Sequence, residues 1–295
     1  MKVTVTGSLG NISRILIDKL VKNGHEVKVV SSNAARAQEI EKMKAVSLIG
    51  SLQDATFIAQ AFKGADAVYT MVPPDFSVPD YYDFADQIHR NYARAIELNN
   101  IQYAVNLSSI GVQFAGREPL IRYYDLEKRL NELPALNVVH LRPAMFYTNF
   151  YGSLPMAKHQ GIIGHNVGEA VDLLMTHPAD IAEAAFTLLN SLSFNGHLIK
   201  YIISDVKNGG EIANILGTAI SKPLNWVEFP DEALLTGLLQ NGFSKDAAET
   251  LVVAAGKAIR EGLFNEFKKD EYKVTESRKF TDFAKEFEMA YKNSN

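Results

Sequence analysis

Lys2-Val-Thr-Val-Thr6-Gly7-Ser-Leu-Gly10-Asn-Ile-Ser13 is the stretch that decides the fold. Val3 and Val5 alternate with polar residues, which is the pattern of a strand. Gly7 and Gly10 follow three apart; Ile12, Ile15, Leu16 and Leu20 then recur at helical spacing until Asn23-Gly24 supplies a stop. The order is strand, glycine turn, helix. A helix N-terminus collects unpaired N–H groups and the positive end of a dipole, and glycine lets a phosphate approach the backbone closely. After the first strand of an alternating chain, Thr6, Gly7, Ser8, Leu9, Gly10, Asn11 and Ile12 therefore read as the seat of a dinucleotide pyrophosphate. Ser13 stands where a third glycine would permit close helix–strand packing. A bare glycine pair also fits a tight turn without ligand, so it is the position that carries the reading.

The alternation continues outward from this turn. Strands are expected at Glu26–Ser31, Ala45–Gly50, Asp66–Val72, Gln102–Ser108 and Asn137–Leu141. Helices are expected at about 34–43, 55–63 (capped by Asp54), 81–99 and 119–133. Such alternation implies an α/β, Rossmann-like, doubly wound parallel sheet, with ligands at the carboxyl ends of its strands. Beyond Arg142-Pro143 the rhythm changes. Residues 144–168 are rich in Gly, Met and aromatics without a clear period. Helices then follow near Asp180–Leu189 (capped by Asp180), Glu211–Ala219, Asp231–Gln240, Lys245–Arg260 and Phe280–Tyr291, with a strand at Leu224–Phe229. The expected organisation is a nucleotide-binding domain over 1–150 and a smaller, mainly helical substrate lobe over 151–295, interleaved with the first.

Composition narrows the function. The chain has 295 residues, 47% hydrophobic and 22% charged, enough for a full core. A net charge of −4 argues against nucleic acid as the main partner, and the one basic candidate, Lys268-Lys269, is offset at once by Asp270 and Glu271. With no cysteine, thiolate metal sites, disulfides and cysteine catalysis are excluded. His89, His140, His159, His165, His177 and His197 show no ligand spacing with carboxylates, so no metal is expected. No apolar run approaches the roughly 20 residues of a membrane span, and a strand beginning at residue 2 leaves no room for a signal peptide. The expectation is a cytoplasmic monomer or homodimer.

The strand ends identify the cofactor. NAD sites usually place an acid after the second strand to hold the ribose 2′-hydroxyl. Here that corner is Ser31-Ser32-Asn33-Ala-Ala-Arg36, with no carboxylate before Glu39. Hydroxyls and a forked guanidinium suit a 2′-phosphate, which favours NADP(H) over NAD(H). Gly50 and Ser51 should lie beside the adenine, and Met71, Val72 and Pro73 beside the ribose and pyrophosphate. Leu107, Ser108 and Ser109 should border the nicotinamide, as should Pro143, Ala144, Met145 and Phe146. Phe146, Asn149 and Phe150 are the candidate substrate contacts, with Asn149 able to bind a carboxamide or a substrate carbonyl.

Together the Thr6–Asn11 turn, Gly64-Ala-Asp66-Ala-Val68, Leu107-Ser-Ser-Ile-Gly111, Leu141-Arg-Pro143 with Phe146 and Asn149, and Pro178-Ala-Asp180-Ile181-Ala182 carry a resemblance. The chain resembles the NmrA-like atypical short-chain dehydrogenases/reductases, which include bacterial NADPH:quinone reductases of that fold. The resemblance implies a Rossmann-like domain, a small C-terminal substrate lobe and a preference for NADP(H). Some members are reductases; others bind the dinucleotide as redox sensors and catalyse nothing. Two departures stand out: Ser32 replaces a basic residue common in relatives, and Ser51 replaces an acid.

Reductases of the wider superfamily use Tyr-x-x-x-Lys, in which the phenol donates a proton and the ammonium lowers its pKa. Tyr124 and Lys128 have that spacing, and with Tyr123 they are the candidate catalytic residues. The register opposes the pair. Leu126, Leu130 and Leu133 define the buried stripe, and an advance of about 100° per residue turns Tyr124 and Lys128 towards solvent. The leading expectation is an NAD(P)H-dependent oxidoreductase passing hydride to a small quinone or conjugated carbonyl. The alternative is a non-catalytic NADP(H) sensor acting through a partner protein. A sugar-nucleotide epimerase or dehydratase is weaker, because the Tyr/Lys pair is misplaced for it.

Overall fold

Val3 and Val5 of β1 (Lys2–Val5) enter one buried layer while Thr4 enters the other, where its hydroxyl donates to the Ala61 carbonyl at 3.3 Å. A strand without a solvent face belongs in the middle of a parallel sheet covered on both sides. The computed structural model, which describes residues 1–112, 121–268, 274 and 278–294, puts it there. Five further strands follow as β2 (Glu26–Ser31), β3 (Val46–Ile49), β4 (Ala67–Thr70), β5 (Tyr103–Leu107) and β6 (Asn137–Pro143). The remaining strands are β7 (Met145–Phe146), β8 (Ile162–His165), β9 (Leu173–Thr176), β10 (His197–Ile202), β11 (Asp205–Lys207) and β12 (Asn225–Glu228); β7, β9 and β11 pair among themselves, as do β8 and β12. One sheet holds seven strands in the order β10-β6-β5-β4-β1-β2-β3, every neighbouring pair parallel. β1 pairs with β2 on one side (Val3 opposite Val27) and with β4 on the other (Val3 opposite Ala67). The strand order reverses between β1 and β4, and a ligand crevice opens at such a point.

Helices α1 (Ser13–Lys22), α2 (Ala37–Lys42), α3 (Ala55–Phe62), α4 (Tyr81–Leu98) and α5 (Ile121–Asn131) connect these strands. Later come α6 (Leu154–His159), α7 (Pro178–Ser191), α8 (Gly209–Ala219) and α9 (Asp231–Gln240). After them a continuous run comprises α10 (Lys245–Ala247), a π-helical stretch (Ala248–Val253) and α11 (Ala254–Arg260). The last two are α12 (Asn265–Lys268) and α13 (Phe280–Asn293). Leu16, Ile17 and Leu20 of α1 join Ile181, Ala185 and Leu189 of α7 over the Val3/Val5 face. Ile58, Phe62, Ile88, Tyr92, Leu126 and Leu130 from α3, α4 and α5 cover the other. A separate core in the small lobe gathers Tyr147, Phe150, Trp226, Phe280, Phe283 and Phe287.

The doubly wound sheet, its strand positions and the Asp54 cap agree with the sequence reading; Asp54 accepts from Thr56 and Phe57 amides at 2.9 and 3.0 Å. Three details differ. The expected helix at 34–43 starts as a 3-10 turn (Ala34–Arg36), and the one at 245–260 contains the π-helical stretch. Asp180 does not cap α7. His177 does, its ring accepting from the Ala179 amide at 3.0 Å, while Asp180 is buried and accepts from Ser204 Oγ at 2.6 Å and from Arg278. Pro119 and Leu120 of the expected fifth helix, and Lys269, Asp270 and Glu271 of the basic run, lie outside the described residues.

A polar ladder crosses the sheet: Thr70 Oγ1 donates to Asn106 Oδ1 (2.9 Å), Asn106 Nδ2 to His140 Nδ1 (3.1 Å), and His140 Nε2 to Asn131 Oδ1 (3.0 Å). This pattern needs a neutral imidazole, and burial pushes His140 down to about 4. Burial likewise holds His89 and His165 down at about 4. Between pH 6.5 and 4 the unfolded chain takes up protons that these three rings refuse. Their contribution is complete above about pH 7 and lost as pH falls towards 4, by roughly 3 kcal/mol per histidine. Urea unfolding at stepped pH should show a stability that drops steeply below pH 6. A flat profile from pH 7 to 5 would contradict the assignment.

Candidate functional site

The turn after β1 is built for close approach. Gly7 has φ +89 and Ser8 φ +52, so the chain turns through two left-handed residues. A Cβ at Gly7 would sit 2.7 Å from Ser13 Oγ and 2.9 Å from Met71 Sδ. The turn is pinned by Ser8 N donating to Val30 O (3.1 Å), Gly10 N to Gly7 O (3.1 Å) and Ser13 Oγ to Thr6 O (3.0 Å). Ser13 therefore ties the helix to the strand end where a third glycine would merely have made room. Thr6 Oγ1 donates to Tyr69 O and accepts from Met71 N at 3.0 Å, and Tyr92 Oη donates to Met71 O at 2.8 Å. The ends of β1 and β4 are thus locked side by side.

Helix α1 begins at this turn with Ile12 as its N-cap, no side-chain cap bond and no acid in its first turn. The Arg14 amide is taken by Gly10 O, while the dipole at the start of α1 meets no acid, which suits a diphosphate. Leu9 and Ile12 are buried in the core and Asn11 is exposed, so the first two anchor the turn.

The corner after β2 is assembled around Ser31. Ser8 Oγ donates to Ser31 Oγ at 2.8 Å, Asn33 N donates to Ser31 Oγ at 3.2 Å, and Arg36 Nη1 donates to Ser8 Oγ at 3.2 Å. Ser32 and Arg36 are exposed, and Asn33 caps the 3-10 turn through the Ala35 amide. Arg14 reaches across from α1 to Glu39 of α2 at 2.6 Å, and that hydrogen bond holds the Glu39 carboxyl below its usual range. Gly50 N donates to Ser31 O, and Phe57 lies 2.6 Å from where a Gly50 Cβ would stand. Ser51 is exposed, and Val72 and Pro73 are half-buried at the lip. The loop leaving Met71 is tied to the small lobe. Phe76 stacks on Phe243 at 4.4 Å, Ser244 N donates to Phe76 O at 2.7 Å, and Tyr81 N donates to Asp246 Oδ2 at 2.8 Å.

At the ends of β5 and β6 lies a buried cluster in which Ser108, expected beside the nicotinamide, joins two charges outside the expected site residues, Glu127 and Arg142. Arg142 donates to Glu127 through Nε (3.0 Å) and Nη2 (2.6 Å), while Ser108 Oγ donates to Glu127 Oε1 at 2.5 Å. Arg142 Nη1 also reaches Tyr201 Oη at 3.2 Å. A signal was present: Glu127 sits between Leu126 and Leu130 on the buried stripe of α5, and Arg142 ends a fully buried strand. Two buried opposite charges imply each other. Ser109 donates to the Ile110 carbonyl, Leu107 and Pro143 are buried, and the Ala144 amide donates to Thr176 Oγ1.

The candidate catalytic trio is spread around α5. Tyr124 is 40% exposed and Lys128 is exposed, opposite Leu126 and Glu127, and Tyr123 is half-buried. Of the candidate substrate contacts, Phe146 packs partly against the large core, Asn149 is exposed, and Phe150 is buried in the small lobe against Phe280. Among the described residues no group of three or more acidic or histidine side chains is placed to hold a metal ion, and no helix is long and apolar enough to cross a membrane.

A parallel sheet whose order reverses beside a glycine turn and an uncapped helix defines a dinucleotide-binding protein of the doubly wound class. A family model described as NAD(P)H-binding matches residues 7–191, and the chain belongs to that family. Its fold is that of the NmrA-like atypical short-chain dehydrogenases/reductases. It is similar to the NADPH-dependent quinone oxidoreductase QOR2 of Escherichia coli in complex with NADPH: 17% identity, TM-score 0.80, covering 96% of this chain and 99% of that one. It is similar to the triphenylmethane reductase of Citrobacter sp. complexed with NADP(H), at 15% identity and TM-score 0.81, covering 97% and 100%. NmrA, a negative transcriptional regulator in complex with NAD, matches at 15% identity and TM-score 0.72, covering 99% and 96%. None of the curated proteins matches the chain in sequence.

Proposed function

We infer that the protein is an NADP(H)-dependent oxidoreductase acting on a small quinone or conjugated carbonyl. The observation that carries this reading is the glycine turn at the switch point, joined to a second corner that offers hydroxyls and Arg36 and no acid before Glu39. The turn suits a dinucleotide, because Gly7 at φ +89 lets the chain pass tightly against Ser13 and Met71 and run directly into α1, whose first turn has no side-chain cap and no acid. In this reading Thr6 to Ile12 hold the diphosphate, and Ser31, Ser32, Asn33 and Arg36 take the 2′-phosphate end. Gly50 and Ser51 border the adenine, Met71, Val72 and Pro73 the ribose, and Leu107 to Ser109 with Pro143 to Phe146 the nicotinamide. When bound, the reduced nicotinamide supplies a hydride.

In this reading the chain's own residues position the coenzyme and supply no acid. The Ser108 proton is committed to Glu127, and the exposure of Tyr124 and Lys128 argues against their serving as an internal acid. A quinone suits such a site, since its reduced oxygens can take protons from solvent. Steady-state NADPH oxidation against a panel of small quinones and enones tests the reading, with turnover expected on at least one quinone. Tight NADPH binding with no turnover on any acceptor would replace it with the non-catalytic sensor.

A further inference from the structure

We propose that Arg14 completes the 2′-phosphate seat with Arg36, and that Glu39 occupies Arg14 until the phosphate displaces it. This rests on the reading that NADP(H) binds at the glycine turn. A 2′-phosphate brings close to two negative charges and three acceptor oxygens, more than one guanidinium can satisfy. The end of β2 supplies a single cation, Arg36, because position 32 is serine. Arg36 already leans over the turn, its Nη1 on Ser8 Oγ at 3.2 Å, and Ser8 in turn reaches Ser31. Arg14 leaves the first turn of α1, its amide on Gly10 O at 3.0 Å, and its guanidinium crosses to Glu39 at 2.6 Å. The same carboxylate lies in the field of Arg36. Arg14 thus holds the carboxylate by direct contact, while Arg36 and, from the carboxylate's own helix, Lys42 add to the positive field around it.

That carboxylate is replaceable. Arg14 and Glu39 side chains are 50% and 48% exposed, and ion pairs so open to water contribute little and exchange readily. A dianion with forked geometry outcompetes a single carboxylate oxygen for a guanidinium. NADH carries nothing able to displace Glu39, so the pair discriminates between the two coenzymes by holding Arg14 back from one and yielding it to the other.

Fluorescence-quenching titrations of the full chain with NADPH and NADH separately, on wild type, Arg14→Gln and Glu39→Gln, test this. Arg14→Gln should weaken NADPH about tenfold or more and leave NADH within twofold. Glu39→Gln should tighten NADPH several-fold with NADH unchanged. Both positions are exposed, and thermal unfolding checks that the variants fold. Equal loss for both coenzymes in Arg14→Gln, no change in either, or weaker NADPH binding in Glu39→Gln would overturn the seat while leaving NADP(H) binding intact. A wild type that binds neither nucleotide would overturn the underlying reading instead.

Discussion

Gly7→Ala is expected to lower NADPH affinity about a hundredfold, ~2.7 kcal/mol of binding free energy. Two independent effects act at once. At φ +89 an L-residue is strained by roughly 1–2 kcal/mol. The new Cβ would also stand 2.7 Å from Ser13 Oγ and 2.9 Å from Met71 Sδ. Met71 can swing away. Ser13 cannot without releasing the Thr6 carbonyl it holds at 3.0 Å, so the methyl group moves the turn itself. Gly64→Ala is the matched control, since Gly64 has φ +71 and open space around it. It should show the strain in urea unfolding and leave coenzyme titrations unchanged. Wild-type NADPH affinity in Gly7→Ala would remove the diphosphate from this turn.

Arg142→Met is expected to destabilise the fold by about 3–5 kcal/mol, because it strands the Glu127 carboxylate in a buried site. Glu127 and Arg142 are 4% and 6% exposed, so solvent cannot replace the lost partner. Ser108 would remain as a single donor to a charge that has lost the two hydrogen bonds from Arg142 Nε and Nη2. The double variant Glu127→Gln/Arg142→Met should recover most of the loss, since an amide with one hydroxyl partner is a far cheaper buried group than an unpaired carboxylate. Urea unfolding of the four-member cycle measures it. A cost below 1 kcal/mol for Arg142→Met would mean that the pair is not sealed from water as described.

Much of the first half was legible because its signals are local. Val3/Val5 alternation, the Gly7–Gly10 spacing, the Asp54 cap and the Leu126/Leu130 stripe each depend on neighbours within a turn or a strand. The register argument that turned Tyr124 and Lys128 outward needed only 100° per residue. What could not be read was non-local. His197–Ile202 is mostly exposed on the sheet's edge, so it lacks the apolar run of an inner parallel strand. β7, β9 and β11 have two to four residues each and exist because they pair with one another across 60 residues of chain. Asp180 has the spacing of a cap, and only the tertiary fold brings Ser204 and Arg278 to its carboxylate. The Glu127–Arg142 pair spans a helix and a strand; each half carries a local sign of burial, but only the tertiary fold shows that the two meet.

The path of the backbone after residue 143 bears on how this architecture can be re-engineered. Having left the large sheet to build β7 through β9, the chain comes back to lay α7 against α1 and β10 alongside β6 before departing again. The smaller lobe is consequently stitched in rather than appended. A chimera that trades it with a relative needs three splice points, one near residue 143 and one on each side of the α7–β10 segment, and a one-junction graft at residue 150 would import a foreign edge strand and a foreign partner for α1.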